Sequence, residues 1–106
     1  MSDYGIVLTT FGSSEQARPV IDAIINCKLA ACVQEVNIKS HYIWKDDYYH
    51  DNEVLVLFKT RKSLYQELEK KLIELHPHET PEIIMVDISA GYANYLAWIN
   101  EQVKSI

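Results

Sequence analysis

The sequence predicts one small α+β domain, and three observations support this. The chain has 106 residues, a length typical of a single domain over residues 1–106. Its composition, 48% hydrophobic and 24% charged residues, is that of a globular protein. Apolar β-type runs alternate with amphipathic runs in the order β-α-β-β-α-β-α. The first six elements match the ferredoxin-like β-α-β-β-α-β sandwich, to which the seventh adds a C-terminal helix.

The first half of the chain is predicted to hold a strand, a helix and a long second strand. Residues 4–10 (YGIVLTT) form a short apolar, β-branched run that predicts a buried strand. Ser13 and Gln16 fit a capping box that begins the first helix. Pro19 lies beyond the first turn of that helix, so we expect a kink there or a helix that begins near it. Residues 29–36 (LAACVQEV) and residues 38–44 each predict a strand, with a bend at residues 36–38 if they form one long strand.

The middle of the chain predicts a hairpin. Residues 45–52 (KDDYYHDN) are polar and typical of a loop, and residues 53–59 (EVLVLFK) return as a strand. Ser63 and Gln66 form a second candidate capping box. The helix that follows carries an apolar stripe at spacings of three and four, formed by Leu64, Leu68, Leu72 and Leu75.

The last elements are a helix end, a strand and a further helix. Pro77 is expected to end the second helix, because proline disfavours helical geometry at the preceding residue. Residues 82–88 (EIIMVDI) predict a strand, and Asn94 is a candidate cap for the last helix. In this order of elements the sheet has four antiparallel strands with the first two helices on one face. Because the other face and the apolar strand edges need cover, we expect self-association.

Charge and composition limit the partners. The net charge is −5 and the pI is about 5.2, with ten scattered Lys and Arg residues, so nucleic acid is not an expected partner. No apolar run approaches the ~20 residues that span a bilayer, and the N-terminus does not resemble a signal peptide. We therefore predict a cytoplasmic protein without a membrane partner. In that compartment Cys27 and Cys32 are expected to be thiols.

The densest group of potential ligands lies in residues 75–82 (LHPHETPE). His76 and His78 supply imidazoles, which suit Cu(II), Zn(II) and Ni(II), and Glu79 supplies a carboxylate. The two prolines stiffen the run, which favours a metal site. The alternative is a rigid loop whose His and Glu side chains are solvated or hydrogen-bond to the backbone.

Other candidate sites are weaker. The segment of residues 44–53 carries acidic side chains and one histidine around two tyrosines, namely Asp46, Asp47, His50, Asp51 and Glu53. It lacks the spacing and the glycine of a calcium loop, so a solvated hairpin tip is favoured. Cys32 lies among small apolar residues and is predicted to be a core residue. The chain has three glycines, no nucleophile elbow and no phosphate-binding loop, so we predict that it is not an enzyme.

Several segments resemble the CutA divalent-cation-tolerance family, in order and over nearly the whole chain. They are residues 29–33 (LAACV), 40–44 (SHYIW), 51–54 (DNEV), 58–60 (FKT), 75–82 (LHPHETPE) and 95–99 (YLAWI). The resemblance implies a homotrimer with clefts between subunits and a role in tolerance of divalent cations, copper above all. It also implies no established catalytic activity.

The family's copper site, described in a bacterial member with two cysteines and one histidine, transfers only in part. His76 matches the histidine, whereas the cysteine positions fall near Thr9 and Lys71. His78 stands where the family usually has tyrosine, and we predict it as a replacement ligand. The predicted metal ligands are therefore His76, His78 and Glu79, with copper as the possible bound ion.

Two other functions stay open at this point. The trimer also resembles the PII signalling proteins, which bind small ligands between subunits. In such a cleft, Trp44, Lys59 and Glu79 are the predicted lining residues for a small anionic or aromatic ligand. The third alternative is a scaffold that binds another protein.

Overall fold

The computed structural model describes residues 2–105, which form a four-stranded antiparallel sheet and three α-helices. The strands are β1 (Tyr4–Phe11), β2 (Cys32–Trp44), β3 (Asp47–Arg61) and β4 (Ile84–Asp87). The helices are α1 (Ser14–Asn26), α2 (Tyr65–Leu75) and α3 (Ala93–Gln102), and a 3₁₀ turn (Lys62–Leu64) precedes α2. The strand order is β2-β3-β1-β4, with all neighbours antiparallel, which confirms the predicted α+β architecture.

One face of the sheet is buried under α1 and α2. Side chains alternate between faces along a strand, and the β1–β3 register places Val7 opposite Phe58 and Thr9 opposite Val56 on this face. All four are fully buried. The two helices and the 3₁₀ turn contribute the other side of the same core, through Ala17, Val20, Ile24, Leu64, Leu68 and Leu72. The predicted leucine stripe is confirmed except at Leu75, which is 39% exposed.

Helix α1 begins at the predicted cap. The Ser13 hydroxyl accepts a hydrogen bond from the Gln16 backbone N–H at 3.2 Å. The Gln16 side chain accepts from the backbone N–H of Gly12 at 3.2 Å, one residue earlier than a standard capping box. The helix begins at Ser14 and continues through the exposed Pro19. A start near Pro19 is therefore excluded.

The second strand begins later than predicted. Leu29 and Ala30 are buried, but they lie in the connection after α1 rather than in a strand. Lys28 adopts a left-handed conformation (φ 58°), and the Leu29 N–H then donates to the Ile24 carbonyl, which closes the helix. These residues are apolar because they fill the core. From Cys32 to Trp44 the strand is continuous, so the two predicted segments are one strand.

The predicted hairpin loop of residues 45–52 is wrong. The connection consists of Lys45 and Asp46 alone, with φ values of 50° and 71°, and Trp44 already pairs with Asp47. Two successive positive φ values are typical of a type I′ turn, whose twist matches that of the flanking strands. The segment is polar because both faces of the hairpin end are exposed in the single chain. The polar composition of this segment therefore reflects its exposure to solvent and does not indicate a loop.

The remaining helix ends differ from the predictions in detail. The second capping box is wrong, because Ser63 lies in the 3₁₀ turn and α2 has no side-chain cap. Asn94 lies inside α3 and its amide donates to the Tyr92 hydroxyl at 3.0 Å instead of capping the helix. Helix α2 ends at Leu75, as Pro77 predicts.

Within residues 2–105, no helix has both the length and the apolar character needed to cross a bilayer.

The second face of the sheet remains largely open. The register places Val36 opposite Leu55 and Ile84 opposite Leu8 on this face. Helix α3 packs against β3, yet large apolar side chains stay exposed across β2, β3 and β4. They include Val36 (46%), Tyr42 (39%), Tyr49 (40%), Ile84 (51%) and Val86 (44%). Several large exposed apolar side chains on one face of a sheet are typical of an interaction surface.

The turn geometry gives a stability prediction. Asp46→Gly should stabilise the hairpin by about 0.5–1 kcal/mol, because glycine adopts positive φ without a steric penalty. Asp46→Val is the matched control and should destabilise it, because a β-branched residue is strained at φ 71°. Urea unfolding midpoints of the two variants measure the difference. Equal midpoints would contradict the assigned turn.

Candidate functional site

The predicted ligand His76 lies at the junction between α2 and the loop that leads to β4. It follows the last residue of the helix and is the C-cap, where its backbone N–H still donates to the Leu72 carbonyl at 2.8 Å. The residue is only 9% exposed, and its ring stacks on Phe11 with centroids 4.4 Å apart and an interplanar angle of 12°. The side chain therefore joins the end of α2 to the end of β1.

Both ring nitrogens of His76 are already hydrogen-bonded. Nε2 donates to the Thr10 carbonyl at 2.8 Å, and Nδ1 accepts from the His78 backbone N–H at 3.1 Å. This pattern fits a neutral imidazole with its proton on Nε2. Neither nitrogen has a free lone pair for a metal ion, because Nε2 carries the proton and Nδ1 accepts a bond. As placed, His76 fits the rigid-loop alternative, in which the histidine bonds to the backbone.

The electrostatics of the junction keep His76 neutral. Burial lowers the pKa of His76 below its ordinary value of 6.5, and the neighbouring His78 lowers it further. The bond to Thr10 and the more distant carboxylate of Glu53 act in the opposite direction but are weaker. A proton on Nδ1 would also break the bond from the His78 N–H. The neutral ring is therefore part of the folded structure.

His78 and Glu79 do not complete a metal site around His76. The His78 ring is half-buried and its centroid lies 4.6 Å from that of His76, while Glu79 is exposed. Across residues 2–105, no three His, Cys, Asp or Glu side chains come close enough together to hold a metal ion. Metal binding by His76, His78 and Glu79 stays a prediction. It requires the His76 ring to leave the Thr10 carbonyl.

The predicted lining residues of a ligand cleft lie far apart within one chain. Trp44 is at the turn end of the hairpin, where it pairs with Asp47. Lys59 lies near the other end of the hairpin, 12 residues after Asp47 on β3. At about 3.3 Å per residue this separation is about 40 Å. A pocket that contains both residues can form only between subunits, so this set also stays a prediction.

Lys59 does have aromatic neighbours that the sequence did not indicate. Its ammonium group lies 5.3 Å from the centre of the Tyr95 ring and donates to the Tyr95 hydroxyl at 3.3 Å. Tyr95 in turn stacks on Trp98, with centroids 5.7 Å apart. Both aromatic residues come from α3, so the cluster depends on the packing of that helix over β3. Only the tertiary structure brings Lys59 to them.

The hairpin end carries a second group of polar and aromatic side chains. On the open apolar face, the Tyr42 hydroxyl donates to the carboxylate of Asp51, and this bond raises the pKa of Tyr42 to about 12. Tyr42 also stacks on its cross-strand partner Tyr49, with centroids 5.6 Å apart. On the other face, His41 is paired directly with His50. Sequence reasoning missed this pairing, because it assigned residues 45–52 to a loop.

Both cysteines are free thiols, as predicted. Cys27 is exposed and Cys32 is half-buried. Neither lies at the positions near Thr9 and Lys71 that the CutA copper site implies.

Known proteins of similar sequence come from one family. Residues 5–102 match the family model described as CutA1 divalent ion tolerance protein. The chain belongs to the CutA1 family. The divalent-cation tolerance protein CutA of Pyrococcus horikoshii is 35% identical over 99 residues, covering 93% of this chain and 97% of the relative. That of Thermus thermophilus is 37% identical over 97 residues, covering 91% and 94%.

Solved CutA1 structures share the fold. The crystal structure of CutA1 from Pyrococcus horikoshii has a TM-score of 0.91 at 34% identity, covering 95% of this chain and 99% of that one. The crystal structure of CutA1 from Oryza sativa has a TM-score of 0.92 at 33% identity, covering 97% and 95%. The TM-scores and coverages show that this chain has the CutA1 fold over nearly its whole length.

The state of His76 predicts how acid affects stability. Because the folded chain holds the pKa of His76 below 6.5, the unfolded chain takes up the proton first as pH falls. The stability that neutral His76 contributes is fully present above about pH 6.5 and is lost as pH falls through the folded-state pKa.

Urea unfolding of the wild type and of His76→Gln measures this effect. Glutamine can still donate to the Thr10 carbonyl but does not titrate. The stability advantage of the wild type over the variant should be larger at about pH 7.5 than at about pH 5.5. An advantage that is equal at both pH values would contradict the assigned protonation state.

Proposed function

We propose that this CutA1 chain is a homotrimer that acts in the tolerance of divalent cations and binds Cu(II) or a similar ion without catalysing a reaction. The family match supports the link to divalent cations. The open apolar face of the sheet supports assembly. A cytoplasmic location is part of the proposal and rests on the sequence alone, since a CutA of Archaeoglobus fulgidus is described as periplasmic.

The exposed apolar face is the main observation in support of the proposed assembly. Val36, Ile84 and Val86 are each more than two-fifths exposed although they lie in the sheet. Exposed apolar surface costs about 25 cal/mol per Å² relative to burial, so these exposed side chains on one sheet face favour association. The edge strand β2 also runs for 13 residues, a length that invites pairing with another chain.

The proposed cation chemistry rests on imidazole and charge. The chain has four histidines and a net charge of −5, which favours the approach of cations. A site of imidazole and oxygen ligands binds Cu(II) more tightly than Zn(II) in the general order of stability. Because ligation requires neutral imidazole, binding should weaken in acid.

A second candidate function is the binding of a small anionic or aromatic ligand between subunits, as in PII-like signalling. The cluster of Lys59, Tyr95 and Trp98 is the feature that favours it, because an ammonium group beside aromatic rings suits such a ligand. Trp44 and Glu79 of neighbouring subunits are the other predicted lining residues. A metabolite that stays bound through purification would favour this function.

Charge placed on the open face should prevent assembly. The double variant Val36→Lys/Val86→Lys should shift native mass spectra from trimer to monomer. Both side chains are exposed in the single chain, and the proposed assembly would bury the added charges. Ile73→Lys on α2 is the matched control, since Ile73 is 57% exposed on the opposite side of the molecule, and it should remain a trimer. A double variant that stays trimeric would contradict the proposed interface.

Copper binding should depend on pH. Titration calorimetry of the full chain with Cu(II) should show weaker binding at about pH 5 than at about pH 7.5, because protons compete for the imidazole nitrogens. Binding of equal strength at both pH values would argue against histidine ligands. If the chain binds no copper at about pH 5 or at about pH 7.5, the proposed direct binding of cations is wrong.

A further inference from the structure

Two exposed imidazoles face each other across the β2–β3 hairpin, away from the His76 junction. His41 of β2 and His50 of β3 are direct partners in the antiparallel register. Their ring centroids are 6.0 Å apart, with an interplanar angle of 29°. Directly paired residues have Cβ atoms about 4.5–5.5 Å apart on the same face of the sheet. The backbone therefore brings two imidazoles together without help from any loop.

Tyr48 holds one of these rings in an orientation that suits metal binding. The Tyr48 oxygen lies 2.5 Å from His41 Nδ1, and the two rings stack with centroids 6.0 Å apart. A proton on Nδ1 can be donated to the phenolic oxygen, which leaves the lone pair of Nε2 free. Histidines that bind metals characteristically donate their other N–H to an oxygen in this way, which fixes the ring and its tautomer.

The surroundings leave room for an ion and its water ligands. The pair lines an open depression of about 390 Å³ together with Lys39, Asp51 and Asn52. Asn52 lies on the same face as the imidazoles and offers an amide oxygen. The carboxylate of Asp51 lies on the other face, where it accepts the bond from Tyr42. Lys39 opposes a bound cation, so the affinity should be moderate.

The imidazole pair and the open apolar face lie on opposite sides of the hairpin. His41 shares its side with the residues that continue toward the core, Val54 and Val56, because side chains alternate along β3. Val36 and Tyr42 lie on the other side. Assembly through the apolar face would therefore leave the imidazole pair accessible to solvent and to metal ions.

We propose that His41 and His50 form a two-imidazole site for a divalent transition-metal ion, with Tyr48 as the residue that positions His41. Water completes the coordination shell, and Cu(II) should bind more tightly than Zn(II). This inference rests on the proposed function, because it names the residues that would bind the cation. It differs from the sequence prediction, which placed the ion at His76, His78 and Glu79.

The test is titration calorimetry of the full chain with CuSO₄, with native mass spectrometry as a check of assembly. The wild type should bind one Cu(II) per subunit. His41→Gln and His50→Gln should each weaken binding by at least about tenfold. Both residues are exposed, so the variants should keep the wild-type mass and unfolding midpoint. Tyr48→Phe should weaken binding by a smaller factor and leave the stoichiometry unchanged.

His78→Gln is the matched control and should bind copper as the wild type does. If the wild type binds copper, His41→Gln and His50→Gln retain it and His78→Gln loses it, the hairpin site is overturned while cation binding by the protein stands. If all variants bind as the wild type does, the hairpin site is likewise overturned. If the wild type binds no copper, both this site and the proposed copper binding are overturned.

Discussion

The register of the β2–β3 hairpin is the constraint on which most of the structure depends. A two-residue turn at Lys45 and Asp46 sets it, because both residues take positive φ and the strands pair immediately afterwards. Side chains alternate with a period of two, so a shift by one residue would exchange the two faces of the hairpin. The same register that buries Val56 and Phe58 brings His41 opposite His50.

This register divides the sheet into two faces with different roles. One face is closed by α1 and α2 within the chain, and at the far end of the hairpin the same side presents the imidazole pair. The other face is apolar but only partly covered by α3, so its closure needs a second molecule. Assembly and cation binding are therefore compatible, because they use opposite sides of the same two strands.

The sequence predicted the order of elements and most of the core. Apolar spacing within a segment shows both whether it forms a strand or a helix and which of its faces is buried. The antiparallel sheet and the leucine stripe before Leu75 needed no further information. The hairpin end was missed, because a strand exposed on both faces has the composition of a loop. For His76 the sequence left a metal ligand and a backbone-bonded loop residue as alternatives, because its partners Phe11 and Thr10 lie far away along the chain. Residue spacing alone does not show such contacts.

The central claim is that copies of this chain close the open apolar face. Sedimentation equilibrium of the untagged chain at micromolar concentration tests it most directly, because it gives the mass of the assembly without reference to any metal. The account predicts a single species with three times the 12.3 kDa mass of the chain. A species of 12.3 kDa would show that the apolar face stays open in solution, and it would contradict the account.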